Sequence, residues 1–131
     1  MKYNSILVID DSKYDRFIAS EILEDNIEVL NVVSIESAQK ALEYLKSLEG
    51  NPQGLPEVIL LDIKMPIMDG FDFLQKFDEF SEIIKTGCKI FMLSSSIDPN
   101  DLQRAQKSKY VVDFLEKPLS EENIFRINSF F

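Results

Sequence analysis

Val58-Ile59-Leu60-Leu61-Asp62 is apolar at every position but the last, where it closes on a carboxylate. A run this short and this uniformly apolar reads as a central strand covered on both faces, as in a parallel sheet. Just upstream, residues 49–56 contain Gly50, Pro52, Gly54 and Pro56 and read as a loop. Before that loop, Ala38, Ala41, Leu42, Leu45 and Leu48 recur at helical spacing behind Ser34, a good N-cap. Residues 27–33 are rich in β-branched side chains and read as a strand. Ser5-Ile6-Leu7-Val8-Ile9 is another, closed by Asp10-Asp11. Between those two strands Tyr14, Ile18 and Ile22 stack four apart on one helical face.

Downstream of Asp62, a loop marked by Pro66 and Gly70 leads into a helical stretch over residues 71 to about 84. Phe73, Leu74, Phe77 and Phe80 are among its apolar positions. Lys89-Ile90-Phe91-Met92-Leu93 is a fourth strand, ending in Ser94-Ser95-Ser96. Asp98-Pro99 starts a helix, with Asp as the cap and Pro at the first helical position. Residues 110–115 form a fifth strand that ends at Lys117-Pro118. Ser120 caps a short last helix.

This alternation predicts an α/β fold of (βα)5 form, a doubly wound five-stranded parallel sheet. The common order for such a flavodoxin-like sheet is 2-1-3-4-5, and its ligands bind outside the carboxyl ends of the strands. At 131 residues, 45% hydrophobic and 28% charged, the chain is expected to form one domain over residues 1–131 without an output domain. The lone Cys88 has no partner for an internal disulfide and reads as a small buried hydrophobe. The N-terminal apolar run is too brief for a signal peptide or a membrane span, so a cytoplasmic protein without membrane insertion is expected.

A net charge of −9 argues against direct nucleic-acid binding, which needs a basic stripe. The absence of histidine removes imidazole as acid, base, ligand or phosphate carrier. The remaining chemistry falls to groups at the strand ends: Asp10-Asp11, Asp62, Ser94 and Lys117. Adjacent first and third strands would bring three carboxylates into one crevice, where like charges disfavour joint ionisation. A hard divalent cation with oxygen ligands relieves that repulsion, and Mg²⁺ suits a shallow site. A carboxylate, a metal, a hydroxyl and an ammonium group together suit phosphoryl transfer, with Asp62 attacking in line.

Asp10-Asp11 after the first strand, Asp62 with Met65-Pro66 and Asp69-Gly70 after the third, Ser94 after the fourth and Lys117-Pro118 after the fifth resemble the receiver domain of two-component response regulators. The resemblance runs from Ser5 to the last helix. It implies that Asp62 is the phosphoacceptor. It also implies that Asp11, Asp62 and the backbone carbonyl of Lys64 bind Mg²⁺, with Asp10 contacting the metal mainly through water. Ser94 and Lys117 would bind the phosphoryl group, the Lys117–Pro118 peptide would be cis, and Phe114 would be the switch aromatic. The implied partners are a sensor histidine kinase or histidine phosphotransfer protein and a downstream target. That target would be reached through the fourth helix, fifth strand and fifth helix, by a monomer or a weak phosphorylation-linked dimer. Such a chain is not a conventional enzyme, although it catalyses its own phosphorylation and dephosphorylation.

Departures from the commonest family pattern are Ser94 in place of threonine, Ser95 in place of a smaller residue, Lys64, Phe114 in place of tyrosine, and Lys109-Tyr110. Lys13 and Arg16 read as surface charges near the site, available to steer an anionic donor. Two other functions compete with the switch. A receiver-like interaction module independent of phosphate gains nothing from a sequence in which every functional position is filled. A phosphatase of the aspartyl-phosphate type would want an Asp-x-Asp pair after the first strand, where this chain has adjacent Asp10 and Asp11.

Overall fold

The structure is a computed structural model that describes residues 2–96 and 98–131. The described residues form five parallel strands in the order β2-β1-β3-β4-β5, together with six α-helices. The strands are β1 (Lys2–Ile9), β2 (Glu28–Ile35), β3 (Val58–Asp62), β4 (Lys89–Ser94) and β5 (Val111–Glu116). The helices are α1 (Lys13–Asn26), α2 (Ala38–Ser47), α3 (Gly70–Phe77), α4 (Glu82–Gly87), α5 (Pro99–Lys107) and α6 (Glu121–Asn128). This is the flavodoxin-like order expected from the alternation. No helix among the described residues is long and apolar enough to cross a membrane.

The decisive strand is buried along its whole length. Its side chains alternate between two cores, as strand geometry requires. Ile59 and Leu61 join Leu7, Ile9, Ile90 and Met92 under α2, α3 and α5, while Val58 and Leu60 join Ile6, Val8, Phe91 and Leu93 under α1 and α6. Each such side chain contributes about 1.5–3 kcal/mol relative to exposure. The two-sided core therefore holds the carboxyl end of β3, and Asp62 with it, in one place.

Three sequence expectations are corrected. The helix after β2 is capped by Ser37, whose hydroxyl accepts from the Lys40 amide, and Ser34 is a strand residue. Both serines suit a cap by type. Pairing of Val8 and Ile9 with Ser34 and Ile35 carries the strand past the first of them. In α1 the buried residues are Ala19 and Leu23; of the expected stripe Ile18 and Ile22 are half-buried, Ile22 against the core, and Tyr14 is exposed.

The single helix expected over residues 71–84 is two helices, broken between Phe77 and Glu82. Here the turn tightens, with the Glu79 and Phe80 amides donating to the carbonyls of Lys76 and Phe77. Asp78 is held from outside, accepting the Tyr110 hydroxyl and lying 3.6 Å from Lys109 Nζ. Tyr110 also sets its ring edge-on to Phe77, with centroids 5.2 Å apart. The Lys109-Tyr110 pair thus anchors the break. The expected fourth and fifth helices are consequently α5 and α6. Tyr110 itself precedes β5, which runs from Val111.

The carboxyl-terminal aromatics fold back onto the sheet, far from the strand ends that carry the acids. Phe131 lies edge-on to Tyr3 at 5.1 Å and Phe130 packs on Phe91 at 5.6 Å.

Ile67, in the loop after Asp62, is fully exposed and has φ 71°. That left-handed conformation is costly for a β-branched residue and well tolerated by asparagine. Ile67→Asn is therefore expected to stabilise the protein by about 0.5–1 kcal/mol, read as a higher urea midpoint at unchanged slope. A lower midpoint would show that the Ile67 side chain contributes more than its backbone costs.

Candidate functional site

The site lies outside the carboxyl ends of β1, β3 and β5, at the switch in strand order where β1 separates β2 from β3. Asp10 follows β1 directly and is only 2% exposed. Its position is fixed by two groups of the next segment. The Ser12 amide donates to Asp10 Oδ1 at 2.9 Å, and the Arg16 guanidinium donates to the Asp10 backbone carbonyl at 2.8 Å. Asp11 is exposed beside it. Ser12 caps α1, its hydroxyl accepting from the Asp15 amide at 3.2 Å.

Asp62 ends β3 and is buried. The following loop turns back at once. The Gly70 amide donates to the Ile63 carbonyl at 2.8 Å, and a capping box between Asp69 and Asp72 starts α3. Gly70 packs so closely that a Cβ there would lie 2.8 Å from the Asp62 carbonyl oxygen. Lys64, two residues after Asp62, is exposed.

Lys117 follows β5, and the Lys117–Pro118 peptide is cis. Its side chain is 13% exposed, and its ammonium meets three carboxylates: Asp10 at 2.6 Å, Asp15 at 3.1 Å and Asp62 at 3.3 Å. Burial works against its charge, but the hydrogen bond to Asp10 and the charges of Asp62 and Asp10 outweigh it and raise its pKa. The Asp62 carboxyl is pushed up to about 7 by burial and then by the charge of Asp10, against the pull of Lys117. A carboxyl poised in this way stores electrostatic energy that a cation can release.

One carboxylate oxygen each from Asp10, Asp11 and Asp62 can be drawn from a set within 4.8 Å of one another. All three donors are hard oxygens on a partly open crevice, and this set fits a small divalent cation such as Mg²⁺.

The structure brings Asp10, Asp11, Asp62 and Lys117 together. Ser94 is buried at the end of β4, with its hydroxyl turned to the Ser96 carbonyl at 2.6 Å. Phe114 is half-buried on β5 against the core under α2, α3 and α5, paired in register with Met92. Sequence reasoning missed Asp15, and placed Arg16 near the site without its contact to the Asp10 carbonyl. Asp15 looks like an ordinary first-turn acid of a helix, and Arg16 like a surface cation. Nothing in their spacing signals that α1 aims both at the strand ends.

The family model described as response regulator receiver domain matches residues 6–128. The Two-component response regulator ORR3 of Oryza sativa subsp. indica is 31% identical over 122 residues, covering 93% of this chain and 86% of that protein. ORR1 of Oryza sativa subsp. japonica is 26% identical over 126 residues, covering 95% of this chain but 53% of that protein. The chain thus spans about half the length of some curated relatives that it matches. The crystal structure of a two component response regulator from Cytophaga hutchinsonii superposes with a TM-score of 0.91 at 28% identity, covering 98% of this chain and 96% of that one.

Proposed function

The chain belongs to the response regulator receiver domain family, and from that premise we propose that it is a phosphorylation switch whose acceptor is Asp62. The observation that supports this most is the buried Asp62 carboxylate set between an acidic pair and the Lys117 ammonium. The donor is the phosphohistidine of a sensor histidine kinase or histidine phosphotransfer protein. With no histidine of its own, the chain receives the group from that partner. A hollow of about 360 Å³ beside Lys117, lined by Tyr14, Ile18, Ala19, Pro118 and Leu119, suits the apolar side chains around such a histidine.

One Asp62 oxygen attacks the phosphorus in line. The P–N bond breaks, its electron pair returns to the imidazole nitrogen, and an aspartyl phosphate remains. Lys117 Nζ donates to one phosphoryl oxygen. Ser94 Oγ donates to another after leaving the Ser96 carbonyl. When bound, Mg²⁺ would neutralise charge on the phosphoryl oxygens, with Asp11, Asp62 and the Lys64 carbonyl as direct ligands and Asp10 mainly through water. Withdrawal of the Ser94 hydroxyl toward the phosphate opens space into which Phe114 turns. The face made by α5, β5 and α6, where Phe125 is exposed, then passes the signal to a target protein.

The test is labelling by acetyl phosphate. Wild type should be labelled only with Mg²⁺ present, and Asp62→Ala should retain less than about 1% of that labelling, since the substitution removes the attacking carboxylate. An unlabelled wild type, or a labelled Asp62→Ala, would defeat the assignment.

A further inference from the structure

Lys117 donates a hydrogen bond to Asp15 and lies within ion-pair distance of Asp10 and Asp62, so its ammonium is shared among three carboxylates. A phosphoryl oxygen takes the place of Asp62 Oδ1 on the ammonium, and because the phosphorus is added beyond that oxygen, the ammonium must also loosen from Asp10 or Asp15 to follow it. Asp10 is buried and would be left without water, at a high cost in desolvation. Asp15 is 39% exposed, so solvent can satisfy its carboxylate once it is released. Its backbone does not move to make the contact, because the Ser12 cap fixes Asp15 in the first turn of α1.

We propose that Asp15 is a positioning residue that holds Lys117 in the resting arrangement and is released when the phosphoryl group arrives, so that it restrains phosphorylation. The inference rests on the assignment of Asp62 as acceptor. The restraint has two parts. Asp15 competes with the phosphoryl oxygens for the Lys117 ammonium, and it adds a negative charge to a crevice that an anionic donor must enter.

Asp15→Asn keeps the size and a weaker acceptor but removes the charge. With Mg²⁺ present, it should be labelled by acetyl phosphate about 3- to 10-fold faster than wild type and bind beryllofluoride more tightly by a similar factor, as expected for one unit charge at this range in a partly solvated site. The gain should shrink in about 0.5 M salt, where exposed charges are screened. Asp15→Glu keeps the charge and should stay close to wild type.

A second readout needs no metal and no donor. The Lys117 ammonium signal, sheltered from proton exchange by its three partners, should be visible by NMR in wild type and broadened in Asp15→Asn. Equal or slower labelling of Asp15→Asn, or an unchanged ammonium signal, would overturn the proposal. A wild type that takes neither acetyl phosphate nor beryllofluoride would defeat the parent assignment, whereas a labelled wild type with an indifferent Asp15→Asn defeats this inference alone.

Discussion

Asp62→Asn is expected to stabilise the metal-free protein by about 2 kcal/mol at pH 7.5. The carboxyl sits near 7 in the folded protein because burial and the neighbouring Asp10 charge disfavour its ionised form. In the unfolded chain it ionises near 3.9. Between about pH 4 and pH 7 the native state therefore keeps a proton that the unfolded state has lost. Where the native state binds more protons, stability falls as pH rises. The loss is spread over that window and is complete above about pH 8. A gap of about three pH units sets a ceiling of ~4 kcal/mol, and relaxation of the partly open crevice brings the expected value to about half of that. Asparagine cannot ionise, and it leaves Lys117 paired with Asp10 and Asp15.

Urea unfolding of wild type and Asp62→Asn in chelator, from pH 5 to pH 8, reads this directly. The mutant's advantage should grow with pH and level off above about 8. Added Mg²⁺ should stabilise wild type at pH 7.5 and narrow the difference, because a bound cation removes the same repulsion. A difference that stays flat across the pH range would show that Asp62 is not electrostatically strained.

Gly70→Ala is the second change with a large expected effect. A Cβ at this position would lie 2.8 Å from the Asp62 carbonyl oxygen, 2.9 Å from Met92 Cε and 3.0 Å from Ile63 Cα. The methionine end can swing away, but the two backbone atoms belong to the end of β3 and the residue after it, which together present the Asp62 carboxylate. Either α3 lifts off β3 or the end of β3 is pushed outward. Overpacking of this kind costs about 2–3 kcal/mol, and here the strain falls on the segment that aims Asp62. Urea unfolding should show the loss of stability, and a Mg²⁺ titration followed by NMR should show affinity reduced by about tenfold or more, as positional errors near 1 Å do. Gly50→Ala is the control, since nothing lies within 4 Å of its Cβ. Its effect should stay within about 0.5 kcal/mol. A Gly70→Ala protein as stable as that control would refute the close-packing account.

Much of this protein was legible in the order of its residues. A short, unbroken apolar run closed by an aspartate distinguishes the buried β3 from the helical stripe before it, whose apolar residues recur at about 3.6-residue spacing. That local signal is enough for the α/β class, and the topological rules for parallel sheets then lead to the observed strand order. The acids, the serine and the lysine at successive strand ends were equally plain, since each ends an apolar run. The boundaries that failed did so where tertiary contacts overrode local preference. Ser34 was drawn into β2 by pairing with Val8, and the helix after Phe71 was broken where Tyr110, more than thirty residues away in sequence, captures Asp78.

Only the three-dimensional arrangement decided the electrostatics of the crevice. Sequence alone established that carboxylates and one lysine end the strands. It could not say that α1 would turn Asp15 toward Lys117, or that Arg16 would bind the Asp10 carbonyl instead of facing solvent. Local patterns are written over a few residues, so the chain carries them openly. An ion pair between positions 15 and 117 exists only once the sheet has placed both, and its strength depends on a burial that no stretch of sequence contains.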